Sequence, residues 1–250
     1  MPNTQEPSAW FTDYGLPVEK SARVFAFPFS GAGTIIYQPL AKQFEHKDIA
    51  FLGVLLPGRE RRYREALMVD LKQLVTALVD EIIPKTDKPF VFFGHSLGAL
   101  IAYECCRELR RRKAPLPQQL YISAFRSPSM PNPNPELHKL NDAQLIQRIR
   151  EYGGTPESIL SSPELMALFT PILRADFTLF ETYTYQHEAP LNCPITTLSG
   201  SNDSIVKPEY MLGWKSQSTL PIKRHLLSGD HFFLDKHKQF IIEELTSAFQ

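Results

Sequence analysis

The chain has 250 residues, 43% of them hydrophobic, and its 27 basic and 27 acidic side chains give a formal net charge of zero. This balance argues against an electrostatic grip on nucleic acid or an anionic membrane surface, and no stretch reaches the roughly 20 apolar residues that cross a bilayer. Without a signal-peptide pattern at the N-terminus or a disulfide framework among three cysteines, we expect one cytoplasmic domain over residues 1–250. No sequence feature sets the oligomeric state, and a monomer is the expectation.

Short apolar runs alternate with amphipathic helical patterns in the first part of the chain. The run 23–29 closes in the glycine-rich turn 30–33, and the run 49–58 ends in Pro-Gly. Residues 70–84 place their apolar positions at the 3.6-residue period of a helix. Buried strands separated by helices predict an α/β fold, with a mostly parallel sheet covered on both faces.

The third apolar run leads directly into a serine motif. Gly94-His95-Ser96-Leu97-Gly98 lies between the strand-like run 89–93 and a helical pattern over 97–113. In that context G-x-S-x-G predicts a strained strand-to-helix turn that exposes the serine hydroxyl as a nucleophile, whereas a chance match in an inert helix cap is the alternative. Neighbouring side chains on a tight turn point apart, so we expect His95 to pack beside Ser96 and not to act as its base.

Residues 126–190 interrupt this alternation with a helical and turn-rich segment that carries many apolar side chains. The segment is long for a connection between strands, so we predict a helical insertion that covers one end of the sheet as a lid. An ordinary pair of crossover helices is the alternative. The strand-like runs 194–200 and 222–229 follow, with helices predicted over 208–215 and 236–249.

His231 is the predicted base. It follows the last strand-like run, and the carboxyl ends of parallel strands gather at the edge of the sheet where Ser96 is expected. A serine hydroxyl is a weak nucleophile until such an imidazole takes its proton. His225 lies within the strand-like run, so we expect it to face sideways or outward.

Asp203 is the predicted acid that orients His231. It lies in the loop after the preceding strand, and the order serine, acid, histidine along the chain is that of α/β-hydrolases. Rival carboxylates are the sequence neighbours of the histidine and one residue of the insertion: Asp230, Asp235 and Asp176.

An oxyanion hole needs two backbone donors. We assign one to the N–H of Leu97, directly after the nucleophile, and the other to the N–H of Ser30 in the glycine-rich turn. The H-G-G-G loop of lipases is absent from the sequence, which counts against an ordinary carboxylesterase.

Several sequence blocks resemble one family specifically. The chain is similar to type II thioesterases, the discrete editing enzymes of polyketide and nonribosomal peptide synthesis, within the α/β-hydrolase superfamily. The likeness is carried by Phe27-Pro28 with the following turn, and by residues 56–62, 93–99, 173–177, 193–203 and 229–234.

The resemblance implies hydrolysis of acyl groups held as thioesters on the phosphopantetheine arm of carrier proteins, without a metal or organic cofactor. It places nucleophile, acid and base on Ser96, Asp203 and His231. The alternatives are a carboxylesterase or lipase acting on small esters, and a hydrolase-fold protein that binds without catalysis. Phe29 stands where the family usually has histidine, which puts any role of that side chain in doubt.

Two further groups of residues have candidate roles. Aromatic side chains of the insertion and the first turn are expected to line a channel for the acyl chain. They are Phe29, Phe177 and Phe180, and packing of the helices onto the sheet is the alternative explanation. The basic cluster formed by Arg59, Arg61 and Arg62 is expected either to dock the carrier protein or to form a solvated face.

Overall fold

Within residues 8–134 and 136–250, which the computed structural model describes, seven strands form one sheet in the order β1-β3-β2-β4-β5-β6-β7. Strand β1 runs antiparallel to β3, and all the other pairs are parallel. The strands are β1 (Phe11–Thr12), β2 (Ala22–Phe27), β3 (Ile49–Val54), β4 (Phe90–His95), β5 (Gln119–Ser123), β6 (Ile195–Gly200) and β7 (Lys223–Leu227). The sequence predicts no signal peptide in the N-terminal segment, and residues 1–7 of that segment lie outside the described part.

The same part of the chain contains seven α-helices: α1 (Gln38–Ala41), α2 (Leu71–Ile82), α3 (Leu97–Arg111), α4 (Asp142–Tyr152), α5 (Glu157–Leu160), α6 (Pro163–Glu181) and α7 (Lys238–Ser247). It also contains short 3₁₀ helices at Thr34–Tyr37, Lys42–Phe44, Glu60–Arg62, Ile83–Lys85, Leu137–Lys139 and Asp235–His237, and a longer one at Pro208–Gln217.

Alternating side chains of the buried strands supply both faces of the sheet. In β2, Phe25 and Phe27 belong to the core shared with α2 and α3, whereas Val24 and Ala26 belong to the core shared with α1 and α7. Strands covered on both faces appear in the sequence as continuous apolar runs. The predicted α/β class, with its mostly parallel sheet covered on both faces, is therefore confirmed.

Two details differ from the sequence-based expectation. The short antiparallel strand β1 has no counterpart in it. The helix predicted over 208–215 is a 3₁₀ helix in which Met211, Trp214 and Gln217 are the buried residues. Their spacing of three residues matches the 3₁₀ period and explains the difference.

Helices α4, α5 and α6 all lie between β5 and β6, inside the interval 126–190. They share a small core of their own, in which Leu145 and Ile149 of α4 join Met166 and Phe177 of α6. The boundaries of the insertion and its role as a lid stay predictions, as does the single-domain organisation.

At the far edge of the sheet, β7 has the polar surface typical of an edge strand. Lys223 and Arg224 are exposed, and Leu226 is 63% exposed on the same strand. In contrast, every residue of β4, near the middle of the sheet, is buried. The residues described next follow the carboxyl ends of β4, β6 and β7.

Candidate active site

Ser96 occupies the turn between β4 and α3 with φ of 51° and ψ of −123°, in the left-handed region that L-residues avoid. Close packing explains its flanking glycines: a Cβ at Gly94 would lie 2.3 Å from the carbonyl oxygen of Gly98, and one at Gly98 would lie 2.1 Å from that of Phe27. The backbone N–H of Ser96 donates to the carbonyl of Ser123 at 2.8 Å and fixes the turn to the end of β5. The serine thus has the geometry of a nucleophile elbow.

Asp203 and His231 follow β6 and β7, and their side chains meet beyond the carboxyl ends of these two strands. The Nδ1 atom of His231 lies 2.8 Å from Oδ2 of Asp203, and both side chains are buried. The other carboxylate oxygen accepts the backbone N–H groups of Ile205 and Val206 at 2.9 and 2.8 Å. The loop after β6 therefore holds the carboxylate in place, and the carboxylate orients the imidazole ring.

Ser96 and His231 both line one cavity of about 320 Å³ at the carboxyl edge of the sheet. Among the described residues, no hydrogen bond joins Ser96 Oγ to His231 Nε2. Catalytic hydrogen bonds are often long in a free enzyme and shorten when substrate binds. The structure thus brings Ser96 and His231 to one space, with Asp203 bound to the imidazole, while the serine–histidine hydrogen bond itself is not formed.

His95 is fully buried beside this group. Its Nδ1 lies 2.8 Å from Ser123 Oγ, and its ring packs 5.3 Å from that of His231, measured between centroids. Burial holds the pKa of His95 well below its ordinary value, and the neighbouring His231 adds to this lowering. A neutral, bonded and enclosed ring supports the turn and does not compete with His231 as base.

The rival residues lie elsewhere. Asp230 and Asp235 are exposed, and Asp230 accepts the backbone N–H of Phe232. Asp176 is buried, but it binds Arg59 and the backbone of Gly31 and not His231. His225 packs against Phe240 with ring centroids 4.8 Å apart. Of these carboxylates, only Asp203 contacts the imidazole of His231.

The two predicted oxyanion donors lie next to these residues: Leu97 follows Ser96 directly, and Ser30 lines the same cavity. Leu97 is the first residue of α3, so its N–H lacks a helical partner, and Ser30 lies in the turn after β2. Within the described part of the chain neither N–H donates to another protein group, whereas the next one along, that of Gly31, donates to Asp176 at 2.7 Å. Free donors at a helix N-terminus suit developing negative charge.

The cavity wall is largely apolar and comes from both the sheet edge and the helices between β5 and β6. Phe29, Phe177 and Phe180 all line it. Phe29 packs edge-on against Phe232 with centroids 5.3 Å apart, and Phe177 packs against Phe180 at 5.6 Å. The space would accommodate an acyl chain next to the serine.

Residues 22–249 match the family model described as the thioesterase domain. This chain belongs to the thioesterase family. It is accordingly a hydrolase that acts on thioesters, and the resemblance seen in the sequence is confirmed.

Relatives of this thioesterase match it over most of their length. The gramicidin S biosynthesis protein GrsT of Aneurinibacillus migulanus is 36% identical over 234 residues, which cover 94% of this chain and 91% of that protein. The type II thioesterase BorB, from the borrelidin biosynthetic cluster, has a TM-score of 0.89 at 27% identity, covering 98% of this chain and 100% of its own. YbtT, a type II thioesterase from the yersiniabactin NRPS/PKS pathway, has a TM-score of 0.85 at 28% identity, covering 97% and 100%.

The arginine cluster of the thioesterase requires a correction. Arg59 is buried against Asp176, and Arg62 is buried against Trp10 and the carbonyl of Leu55, so neither can form the expected docking surface. Arg61 is exposed, but its guanidinium binds backbone carbonyls of the N-terminal segment. Charge spacing along the sequence did not distinguish inward-facing from outward-facing arginines.

Sequence reasoning also missed a contact in the thioesterase. Arg59 and Asp176 each lie within a block typical of the family, and together they form a buried ion pair across 117 residues of sequence. Two oppositely charged residues inside such blocks were the available signal.

In the described residues of the thioesterase, no helix combines the length and apolar character needed to span a membrane. That part of the chain likewise contains no group of three or more His, Cys, Asp or Glu side chains placed to hold a metal ion.

Proposed function

We propose that this thioesterase removes acyl groups from the phosphopantetheine arm of acyl or peptidyl carrier proteins during polyketide or nonribosomal peptide synthesis, either in editing or in release. Its likeness to GrsT, BorB and YbtT supports this substrate class. The phosphopantetheine arm belongs to the carrier, so we expect the enzyme to act without a metal or cofactor of its own. We also expect it to be cytoplasmic and monomeric.

The proposed chemistry has two steps. His231 takes the proton of Ser96 as the hydroxyl attacks the thioester carbonyl, and the N–H groups of Leu97 and Ser30 stabilise the oxyanion. The carbon–sulfur bond breaks, the sulfur takes the proton from His231 and the carrier leaves as a thiol, which gives an acyl-serine ester and a neutral His231. Water activated by His231 then hydrolyses that ester and releases the free acid, while Asp203 stabilises the imidazolium in both steps.

One observation supports this assignment above the others. Ser96, in its left-handed elbow, and His231, bound through Nδ1 to Asp203, line the same apolar cavity. A rotation of the serine side chain toward His231 on substrate binding would complete the pair.

The first prediction tests the nucleophile. Replacing Ser96 by alanine should lower kcat for an acyl-carrier thioester by about 10⁴-fold or more, because no other group can form the acyl-enzyme. Turnover measured by release of the carrier thiol is the readout, with Ser201→Ala, an exposed serine, as the matched control. Rapid-quench mass spectrometry of the native enzyme should find the acyl group on the peptide that contains Ser96, and an adduct on another residue would refute the assignment.

The substrate class needs a separate comparison. The same acyl group should be offered to the enzyme on a carrier protein, on a small pantetheine thiol and as an oxygen ester. We expect kcat/KM to be highest for the carrier thioester. A clear preference for the oxygen ester would favour the carboxylesterase alternative.

A further inference from the structure

The glycine-rich turn after β2 is held by one buried ion pair from two distant segments. Asp176 of α6 accepts the backbone N–H of Gly31 through Oδ2 at 2.7 Å. Arg59 donates through Nη1 to the carbonyl of Ala32 at 3.1 Å. The turn is thereby bound on both sides of one peptide unit.

The pair itself is bidentate and almost dry. Nη2 and Nη1 of Arg59 lie 2.7 and 2.8 Å from Oδ1 and Oδ2 of Asp176, and the two side chains are 6% and 1% exposed. Removing two charges from water is costly, and apolar residues of similar volume are often as stabilising as a buried pair. Stability alone therefore does not explain the presence of an ion pair at this position. The two parallel hydrogen bonds between guanidinium and carboxylate do explain it, because they fix the relative position of the two side chains.

The contact with Gly31 determines which amide of the turn is left free. Consecutive N–H groups at Ser30 and Gly31 lie beside the cavity, and Asp176 takes the second one. We propose that Arg59 and Asp176 are positioning residues that hold the turn so that the Ser30 N–H faces the oxyanion, an inference that rests on the proposed function. The pair also links α6, which lines the acyl cavity, to the oxyanion donor.

Neighbouring contacts restrain the same turn. Glu60, next to Arg59 and itself at φ of 46°, accepts the hydroxyl of Thr34 at 2.7 Å and the N–H of Ile35 at 3.0 Å. A Cβ at Gly31 would lie 2.7 Å from a methyl carbon of Leu173 on α6, so the helix packs directly onto the turn. Movement of α6 would thus displace the turn.

Two double variants isolate the contact to Gly31. Both remove the buried charges: Arg59→Met with Asp176→Asn keeps an acceptor for the Gly31 N–H, and Arg59→Met with Asp176→Leu does not. We expect kcat of the leucine variant to be about 10- to 100-fold lower than that of the asparagine variant at similar KM, since an oxyanion donor acts only in the transition state. Equal kcat values, or a difference confined to KM, would overturn the proposal.

A matched pair elsewhere controls for general loss of a buried ion pair. Glu104 and Arg107 on α3 are joined at 2.7 Å and are similarly enclosed, and they also bind Tyr183 and Glu188 respectively. Replacing both by leucine should leave kcat within about twofold of the native value. A fall equal to that of the Asp176→Leu double variant would assign a purely structural role to both pairs.

Ligand binding provides a readout separate from turnover. A boronic acid that forms a tetrahedral adduct with Ser96 should bind the Asp176→Leu double variant about 10- to 100-fold more weakly than the Asp176→Asn one. A non-hydrolysable acyl thioether, which carries no oxyanion, should bind both alike. Parallel weakening of the two ligands would contradict a positioning role.

The native enzyme gives a test that needs no variant to fold. In amide hydrogen exchange the Gly31 N–H should be protected both with and without the boronic acid. The Ser30 N–H should gain protection only when the boronic acid is bound. Protection of Gly31 that appears only with the inhibitor would overturn the proposal. Failure of the native enzyme to hydrolyse any thioester would instead remove the proposed function, whereas protection of the Gly31 N–H in the ligand-free enzyme would still report its bond to Asp176.

Discussion

At the scale of single residues, the strained backbone of Ser96 depends on the small residues around it. The conformation places the hydroxyl at the top of the turn, and it persists only because neighbouring contacts fix it. Gly98 packs against the carbonyls of Phe27 and Pro28, which lead into the turn that contains Ser30. The elbow is therefore in direct backbone contact with the residues that precede the proposed oxyanion donor.

This contact predicts the effect of Gly98→Ala. A Cβ there would lie 2.1 Å from the carbonyl oxygen of Phe27 and would force the two segments apart. We expect a loss of about 100-fold in kcat, because small displacements in an active site are costly, and a decrease of about 1–3 kcal/mol in the free energy of unfolding. Kinetics and urea denaturation measure the two effects. Gly15→Ala adds strain at φ of 73° in open space, so it should lower stability without changing kcat.

The acid is tested by Asp203→Asn, which keeps the shape of the side chain. An amide in this position favours the wrong tautomer of His231 and stabilises the imidazolium poorly, so kcat should fall by about 10²- to 10⁴-fold. The pH dependence of kcat/KM would be recorded for the variant and for Asp230→Asn, which alters an exposed carboxylate. A near-native rate for Asp203→Asn would reassign the acid.

At the scale of secondary-structure elements, helix α6 contributes to two parts of the site. Phe177 and Phe180 line the cavity, while Asp176 of the same helix binds Arg59 and the N–H of Gly31 in the turn. A change in the packing of this one helix would therefore affect both the length of the acyl pocket and the position of the turn.

Acyl preference should respond to Phe180→Leu. The smaller side chain lengthens the cavity, and each additional methylene that fits a pocket contributes about 1–3 kcal/mol. We expect the ratio of kcat/KM for a longer acyl chain to that for a shorter one to rise about tenfold, measured over a series of acyl thioesters. Leu168→Ala, which is on the same helix and 73% exposed, should leave the ratio unchanged. An unchanged ratio for Phe180→Leu would place the chain elsewhere.

The elements also define what a sequence reveals. Apolar runs such as 89–93 predict buried strands, and G-x-S-x-G predicts the elbow, because each signal lies within a few residues. The pairing of Arg59 with Asp176 connects residues 117 positions apart, so it emerges only when α6 packs on the turn. Strand β1 could not be predicted for a different reason: its two residues, which pair with β3, form too short a pattern to detect.

At the scale of the whole molecule, the buried histidine beside the nucleophile should affect stability. Burial lowers the pKa of His95 from its ordinary value of 6.5. As pH falls below about 6.5, the imidazole of His95 binds a proton in the unfolded chain but stays neutral in the folded chain, so folding is progressively disfavoured. Above that pH the folded and unfolded states carry the same neutral ring and the effect is absent.

Urea denaturation between pH 7.5 and pH 5 would measure this effect. We expect His95 to contribute up to about 1.4 kcal/mol of lost unfolding free energy per pH unit in the acidic range. His95→Asn should remove that contribution, whereas His46→Asn, at an exposed site, should not. An identical acid dependence in both variants would show that other groups cause it.

The far edge of the sheet bears on how the protein behaves when concentrated. Strand β7 offers backbone donors and acceptors to any second chain, and an apolar side chain such as Leu226 would favour such pairing. Two copies paired parallel and in register along this edge would bring Lys223 and Arg224 against their own counterparts. The like charges of Arg224 would repel, whereas Lys223 is already paired with Glu244. With neutral residues there, the protein would still turn over substrate in dilute solution but would precipitate or form fibres at high concentration.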